Sequence, residues 1–399
     1  MNTINTQPLL NKIKTNYPIA VWFLLAAAAA IAEISRGPDS YNNYLIYKNV
    51  FTHAQQLQNL YVGEPAHLFD YLYGPIFSII IAPFSVLPDT IGCFVWCMFN
   101  AWILFYAVNQ LPISYKKKML ILLLSAIELE TSIHNVQINP MIVSWIVLSY
   151  VLVQKEKDFW ATLFIALGFM VKLYGIVGIA FFLFSKHKIK FVLSFIFWLI
   201  VLFCLPMLIS SPSFIIQSYK DWFIALTTKN EKNIAVNLNY MQDISVMGMI
   251  RRIFKLPNMS NAFVLIPAAI AYALPFLRIK QFKYLSFQLS YLAFALIGVV
   301  IFSSSSESPS YIIALIGVSI WFILQTNQQK KMAITLIIFT LLLTSLSPTD
   351  LFPEYVRINF IRPYSLKALP CFVVWLYLLI QLLQYNWKKQ DETVNGINK

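Results

Sequence analysis

Thirteen apolar runs follow one another along the chain, near residues 17–34, 73–88, 90–111, 119–134, 140–154, 158–171, 173–185, 189–209, 261–277, 284–302, 309–326, 332–347 and 365–385. Most approach the ~20 residues that a helix needs to cross a bilayer, where each backbone N–H and C=O has to be satisfied inside the segment. Composition points the same way. Hydrophobic residues make up 59% of the chain and charged residues 12%, against about 25% charged in a soluble domain. A soluble oligomer is the alternative that this charge content argues against. The expected fold is all-α and polytopic, a single transmembrane domain over residues 1–399.

Charge decides how the runs are threaded. Basic tracts stand at Lys12/Lys14, Lys116 to Lys118, Lys155/Lys157, Lys186/Lys188/Lys190, Arg278/Lys280/Lys283, Lys330/Lys331 and Lys388/Lys389. Placed together with the C-terminal tail, they hold 18 of the 30 Lys and Arg but only four of the 17 acids. The other side then holds 12 basic and 13 acidic residues. The basic side is cytoplasmic by the positive-inside rule. Both termini fall there, and the loops 35–72, 135–139, 210–260, 303–308 and 348–364 face outward across a bacterial inner membrane. Thirteen crossings cannot bring the chain back to its starting side. The run at 73–88 is short and bounded by Pro75, Pro83 and Pro88, so it reads as re-entrant or shallow and about twelve spans remain. Short outer-face helices are expected in the first and middle outer loops. The first run, after Lys12 and Lys14, also has the look of a secretory signal. An uncleaved helix is preferred, and the loop after it lies outside in either case.

The net charge of +13 does not indicate nucleic acid, because the basic residues sit in short tracts between apolar runs. Cys93, Cys97, Cys204 and Cys371 lie in or beside those runs and read as buried free thiols. The four histidines are scattered, without zinc-type spacing. No cofactor is expected, although outer carboxylates could recruit a divalent cation.

Polar residues collect instead on the outer side. The first loop, Arg36 to Pro75, is rich in Tyr, Asn and Gln and carries Asp39, Glu64 and Asp70. It is joined by ELETSIHNVQINP (Glu128–Pro140), by YKDW and QDISVMGMIRR within 210–260, by SSSSESPSY (Ser303–Tyr311) and by Ser347–Lys367. Outer loops normally avoid basic residues, yet Lys172, Arg251, Arg252, Arg357, Arg362 and Lys367 all fall there. That pattern suits an anionic ligand such as a lipid phosphate, with charge neutralisation of the outer acids as the plainer reading. Lys172, at the tip of an apolar hairpin, either snorkels to the interface or binds an anion. Transfer of a sugar from a lipid phosphate would use these parts: a carboxylate to take the acceptor proton, cations for the leaving phosphate, and aromatics and amides for the sugar.

The order of motifs resembles the GT-C membrane glycosyltransferases, in particular the polyprenol-phosphate-mannose-dependent mannosyltransferases. The similar pieces are NNYLIYK (Asn42–Lys48), NLY (Asn59–Tyr61), YGPIFSIIIAPFSVLP (Tyr73–Pro88), Trp96 with Asn100, NVQINP (Asn135–Pro140), GFMVKLYG (Gly168–Gly175), SVMGMIRR (Ser245–Arg252) and SSSESPSY (Ser304–Tyr311). The resemblance implies an inverting transferase that moves a hexose, mannose first, from a polyprenyl-phosphate donor to a lipid-linked or glycan acceptor. It also implies a base just after the first helix. The family's aspartate aligns with Asn43, an amide, so Asp39 one turn earlier is the expected base, with Asp70 and Glu307 as rivals. A late His pair of the family is replaced by Ser306, Glu307 and Ser308. Lys172 and Arg251 are the expected donor-phosphate ligands, and Asn43, Tyr47, Asp70, Gln137, Asn139 and Glu307 the expected substrate contacts. A secondary transporter, a polysaccharide polymerase or ligase, and a scaffold are the competing readings. Transport is disfavoured by the mere 11 glycines and by charges that gather at outer helix ends.

Overall fold

The computed structural model describes residues 7–61, 71–234 and 242–396. Asp70 and Glu64 lie outside the described residues. Within them the chain is helical, without a strand.

Helix α1 spans Gln7–Ser35, α2 Asn42–Gln56, α3 Phe77–Ser85, α4 Asp89–Gln110, α5 Tyr115–His134, α6 Asn139–Gln154 and α7 Asp158–Lys172. A 3-10 segment follows at Tyr174–Phe184, then α8 Lys188–Cys204, α9 Pro212–Ile234, α10 Val246–Ile253 and α11 Ala262–Ala273. The last third holds α12 Leu285–Ile301, α13 Tyr311–Ile323, α14 Lys330–Thr340, the single turn α15 Glu354–Val356, α16 Ala368–Gln384 and α17 Trp387–Gly396.

Contacts between turns sort the ends of these rods into two layers. In one layer Tyr115 donates to Asn16 (2.6 Å), Lys155 to Gln110 (3.0 Å) and Lys186 to Glu156 (2.6 Å). There too Arg278 donates to the Tyr385 carbonyl (3.0 Å), Gln390 donates to the Leu324 carbonyl (2.9 Å), and Asp391 accepts from the backbone of Leu285 and Ser286. The lysine tracts sit in this basic layer. In the opposite layer Lys48 of α2 pairs with Asp89 at the start of α4 (2.6 Å), and Asn43 donates to the Asn135 carbonyl (2.8 Å). Lys172 reaches Asn139 (2.7 Å), Tyr174 reaches Ser303 (3.0 Å), and Trp222 of α9 donates to the Leu72 carbonyl (3.0 Å). This second layer holds the long loops.

Twelve apolar segments run between the two layers among the described residues: α1, α4 to α7, the 174–184 segment, α8, α11 to α14 and α16. Five of them are long and apolar enough by length and composition to cross a membrane. The expected shallow segment is seen as such. Helix α3 has nine residues, about 13 Å at 1.5 Å each. Both of its ends stay in the loop layer: before it the Gly74 N–H donates to the Val171 carbonyl (3.1 Å), and at its far end Tyr44 donates to the Phe84 carbonyl and Lys48 to the Leu87 carbonyl. Besides α3, the loop layer holds the helices α2, α9 and α10. Helix α9, at 23 residues, is longer than the short helix expected there.

Three of the segments are almost wholly enclosed. Nearly every residue of α6, α12 and α13 is buried, and α12, with 17 residues, reaches about 25 Å, less than the ~30 Å hydrocarbon core. One apolar core runs through them, including Trp96, Tyr150, Phe181, Phe294 and Trp321. The polar cavity described next opens where these short rods end.

Candidate active site

A cavity of about 1470 Å³ lies in the loop layer, lined by α2, the 71–73 strand of chain, the α5–α6 turn, Lys172–Tyr174, α9, α12 and the 303–309 turn. Few residues fix its floor. Gly168 and Gly175 approach so closely that a Cβ on Gly175 would fall 2.3 Å from Gly168 backbone. That crossing turns α7 into the 174–184 segment and leaves Lys172 at the bend. A Cβ on Gly74 would strike the Met170 carbonyl at 1.8 Å, and the Gly74 N–H donates to the Val171 carbonyl (3.1 Å). The first loop is thereby tied beside Lys172.

Lys172 donates to Asn139 Oδ1 and lies 4.9 Å from the Tyr174 ring centre and 5.9 Å from that of Tyr73. An ammonium carries three N–H donors, and Asn139 is its one hydrogen-bond acceptor among the described residues. Beside it runs a polar chain: Tyr73 donates to Gln137 Oε1 (2.8 Å) and meets the Tyr47 hydroxyl at 3.2 Å. Burial pushes both phenols above their ordinary range, so they stay neutral hydroxyls.

The opposite wall comes from α9. Trp222, Leu226, Lys229 and Asn230 recur at helical spacing and face the cavity. Lys229 donates to Gln242 (2.9 Å) and lies 3.9 Å from Glu307. Five cations line the space: Lys172, Lys229, Lys232, Arg362 and Lys367. Glu307 is the one carboxylate doing so among the described residues. It rides on a turn held at several points: Tyr174 donates to Ser303, Asn233 to the Ser304 carbonyl (2.9 Å), and the Ile244 N–H to the Ser306 carbonyl (2.8 Å).

The residues expected from sequence divide into those that meet and those that do not. Asn43, Tyr47, Gln137, Lys172 and Glu307 share the cavity. Asn139 is fully buried behind Lys172 and orients it without lining the space. Asp39 is exposed in a separate pocket of about 350 Å³, with Glu33, Arg36, Ser40 and His134; Asn43 and Asn135 form the wall common to both. Arg251, expected at the donor phosphate, is not part of the cavity lining. It is buried, pairs with Asp243 (2.8 Å), and donates to the Met259 carbonyl at 3.1 and 3.0 Å and to Asn261. Its donors are spent on holding the loop between α10 and α11. Burial also raises the Asp243 carboxyl above its usual range, against the pull of Ser245 and Arg251.

Sequence reasoning missed Lys229, Asn230 and Tyr174. The stripe at 222, 226, 229 and 230 is readable as a helix face, but the expectation of only a short helix in this outer loop does not point to it. Among the described residues no group of three or more His, Cys, Asp or Glu stands ready to hold a metal ion.

Residues 71–304, more than half of the chain, match the model of Glycosyltransferase family 87. No curated protein matches the chain. The motifs from Tyr73 to Arg252 lie inside the matched stretch, whereas NNYLIYK and Asp39 precede it. A helical membrane bundle that keeps a cation-lined cavity at one polar face, together with this match, makes the assignment plain: the chain belongs to glycosyltransferase family 87, a membrane family of the GT-C type.

Proposed function

We propose that the protein transfers a hexose, mannose being the first candidate, from a polyprenyl-phosphate donor to a lipid-linked or glycan acceptor at the outer face of a bacterial inner membrane. In this reading the basic layer and both termini are cytoplasmic, and membrane lipids surround the bundle. The observation that carries it is the cavity with five cations and a single carboxylate. Such a lining favours an anionic ligand and leaves one group able to accept a proton. The charge asymmetry between the layers supports the orientation.

The acceptor hydroxyl attacks the anomeric carbon as the carbon–oxygen bond to phosphate breaks, with inversion at that carbon. The electron pair leaves with the phosphate, where Lys172, Lys229 and Arg362 stabilise the developing charge. The hydroxyl proton passes to the Glu307 carboxylate. Tyr47, Tyr73, Asn43 and Gln137 supply neutral donors and acceptors for sugar hydroxyls. Glu307 is preferred to Asp39 as base because it shares the cavity with the cations.

Purified protein in liposomes, given polyprenyl-phosphate mannose and a membrane glycolipid extract, is expected to release polyprenyl phosphate and glycosylated lipid in equal amounts. A nucleotide sugar offered alone should yield neither. Movement of a solute across the liposome without consumption of any lipid-linked sugar would establish a transporter instead.

A further inference from the structure

Lys367 borders the cavity, yet its bonding differs from that of Lys172 and Lys229. Its Nζ donates to both oxygens of Glu128, at 3.0 and 3.1 Å, and to Ser308 Oγ at 2.8 Å. The ring of Tyr311 lies below it at 5.0 Å. Glu128 is 0% and Lys367 3% exposed. All three N–H donors are therefore engaged. Taking a phosphate would strip Glu128 of its counter-charge at full burial, which is strongly unfavourable.

The pair joins four parts of the fold. Glu128 belongs to α5, Ser308 follows Glu307 directly, Tyr311 begins α13, and the Lys367 carbonyl accepts from Thr344 beyond α14 (2.9 Å). The 303–306 stretch is held from the other side by Tyr174, Asn233 and the Ile244 backbone. Ser308 is the downstream anchor, so Glu307 is bracketed between two fixed points.

We propose that Glu128, Lys367 and Ser308 form a positioning clamp that sets the direction of the Glu307 carboxylate in the cavity, and that Lys367 is not a ligand of the donor phosphate. This rests on Glu307 acting as the base. The clamp works through geometry. With Ser308 released, Glu307 keeps downstream only the backbone bond from the Ser310 N–H to its carbonyl (3.0 Å), and displacements near 1 Å can cost about 100-fold in rate.

The test is sugar transfer by purified protein, with kcat and donor KM measured separately. Ser308→Ala keeps the ion pair and cuts the link, and is expected to lower kcat roughly 10- to 100-fold with donor KM unchanged. Ser308→Thr, which retains the hydroxyl, is expected to recover most of that loss. Lys367→Met alone is expected to lose folded protein, because Glu128 is left buried and unpaired. Glu128→Gln/Lys367→Met is expected to recover folded yield but keep the low kcat, since Ser308 still lacks its anchor. A double variant with wild-type kcat would reduce the pair to a folding element and overturn the clamp. A large rise in donor KM at preserved kcat, in the double variant, would make Lys367 a phosphate ligand and overturn it as well. Full activity of Glu307→Gln would instead sink the assignment of the base while leaving donor-dependent transfer by the wild type intact, so the two failures are distinguishable.

Discussion

The large cavity and the small pocket beside it share a wall at Asn43 and Asn135 but differ in charge. The small pocket has two carboxylates, Glu33 and Asp39, with Arg36 and His134 close by. There Glu33 Oε1 takes both Arg36 Nη1 (2.7 Å) and His134 Nδ1 (2.6 Å). Both basic groups of that pocket are thus drawn onto Glu33. In the large cavity cations outnumber the single lining carboxylate, and Lys172 is bonded to a neutral amide. In the proposed reaction a proton acceptor serves only where cations for a leaving phosphate stand in the same space, and of the two regions the large cavity combines a carboxylate with five lining cations.

The largest effect should follow from removing the carboxylate of each region in turn. Glu307→Gln is expected to lower kcat by about 1,000-fold, within the range that a general base contributes, at normal protein yield. Asp39→Asn should stay within about threefold, as an exposed polar substitution away from the reacting groups. Sugar transfer in membranes with matched expression compares them. Should Asp39→Asn give the larger loss, the two regions exchange roles and the base belongs to the small pocket.

Much of this arrangement was legible in the sequence because hydrophobic length and lysine placement act through simple rules. The twelve crossing segments and the shallow piece at 73–88 follow from them, whereas Asn43 and Tyr47 are singled out by the family resemblance. What hydropathy could not reveal is which segments enclose others. The windows at Asp89–Gln110 and Ala262–Gln281 have mean hydropathies of 1.8 and 1.9, yet 50% of the first and 6% of the second is buried. Lipid and protein interior are equally apolar, so the same residues suit either side. Charge pairing was equally hidden. Arg251 and Lys172 both read as outer cations, and only folding brings Asp243 onto one and leaves the other with a neutral amide. Glu128 and Lys367 are 239 residues apart, beyond the reach of any local pattern.

That contrast between two cations gives the next effect. Lys172→Met is expected to lower kcat/KM for the donor by about 10- to 100-fold, since a hydrogen bond to a charged group contributes about 1.5–3 kcal/mol. Arg251→Met should act on folding instead, because an uncompensated buried carboxylate costs about 3–5 kcal/mol. Asp243 already has a carboxyl raised by burial. An acid with a raised folded-state pKa contributes stability at low pH that is lost as pH rises through that pKa. The melting temperature of Arg251→Met should therefore fall as pH increases, and Asp243→Asn/Arg251→Met should remove that slope. A donor KM defect without a thermal one would return Arg251 to the phosphate.

The smallest effect belongs to the shared wall. Asn43 stands where the resemblance expects an aspartate, and its Nδ2 donates to the Asn135 carbonyl at 2.8 Å. Asn43→Asp removes that donor, sets a carboxylate against a carbonyl, and adds a second negative charge to a cavity proposed to take an anion. A neutral hydrogen bond contributes about 1 kcal/mol, so the donor KM should rise by about fivefold with kcat little changed. Asn43→Ala separates the two causes, since it loses the bond without adding charge and should show the smaller rise. A higher kcat in Asn43→Asp would mean that a carboxylate at the partition does better than Glu307 across the cavity. The wall between the two regions, and not the cation-lined side, would then be where the acceptor loses its proton.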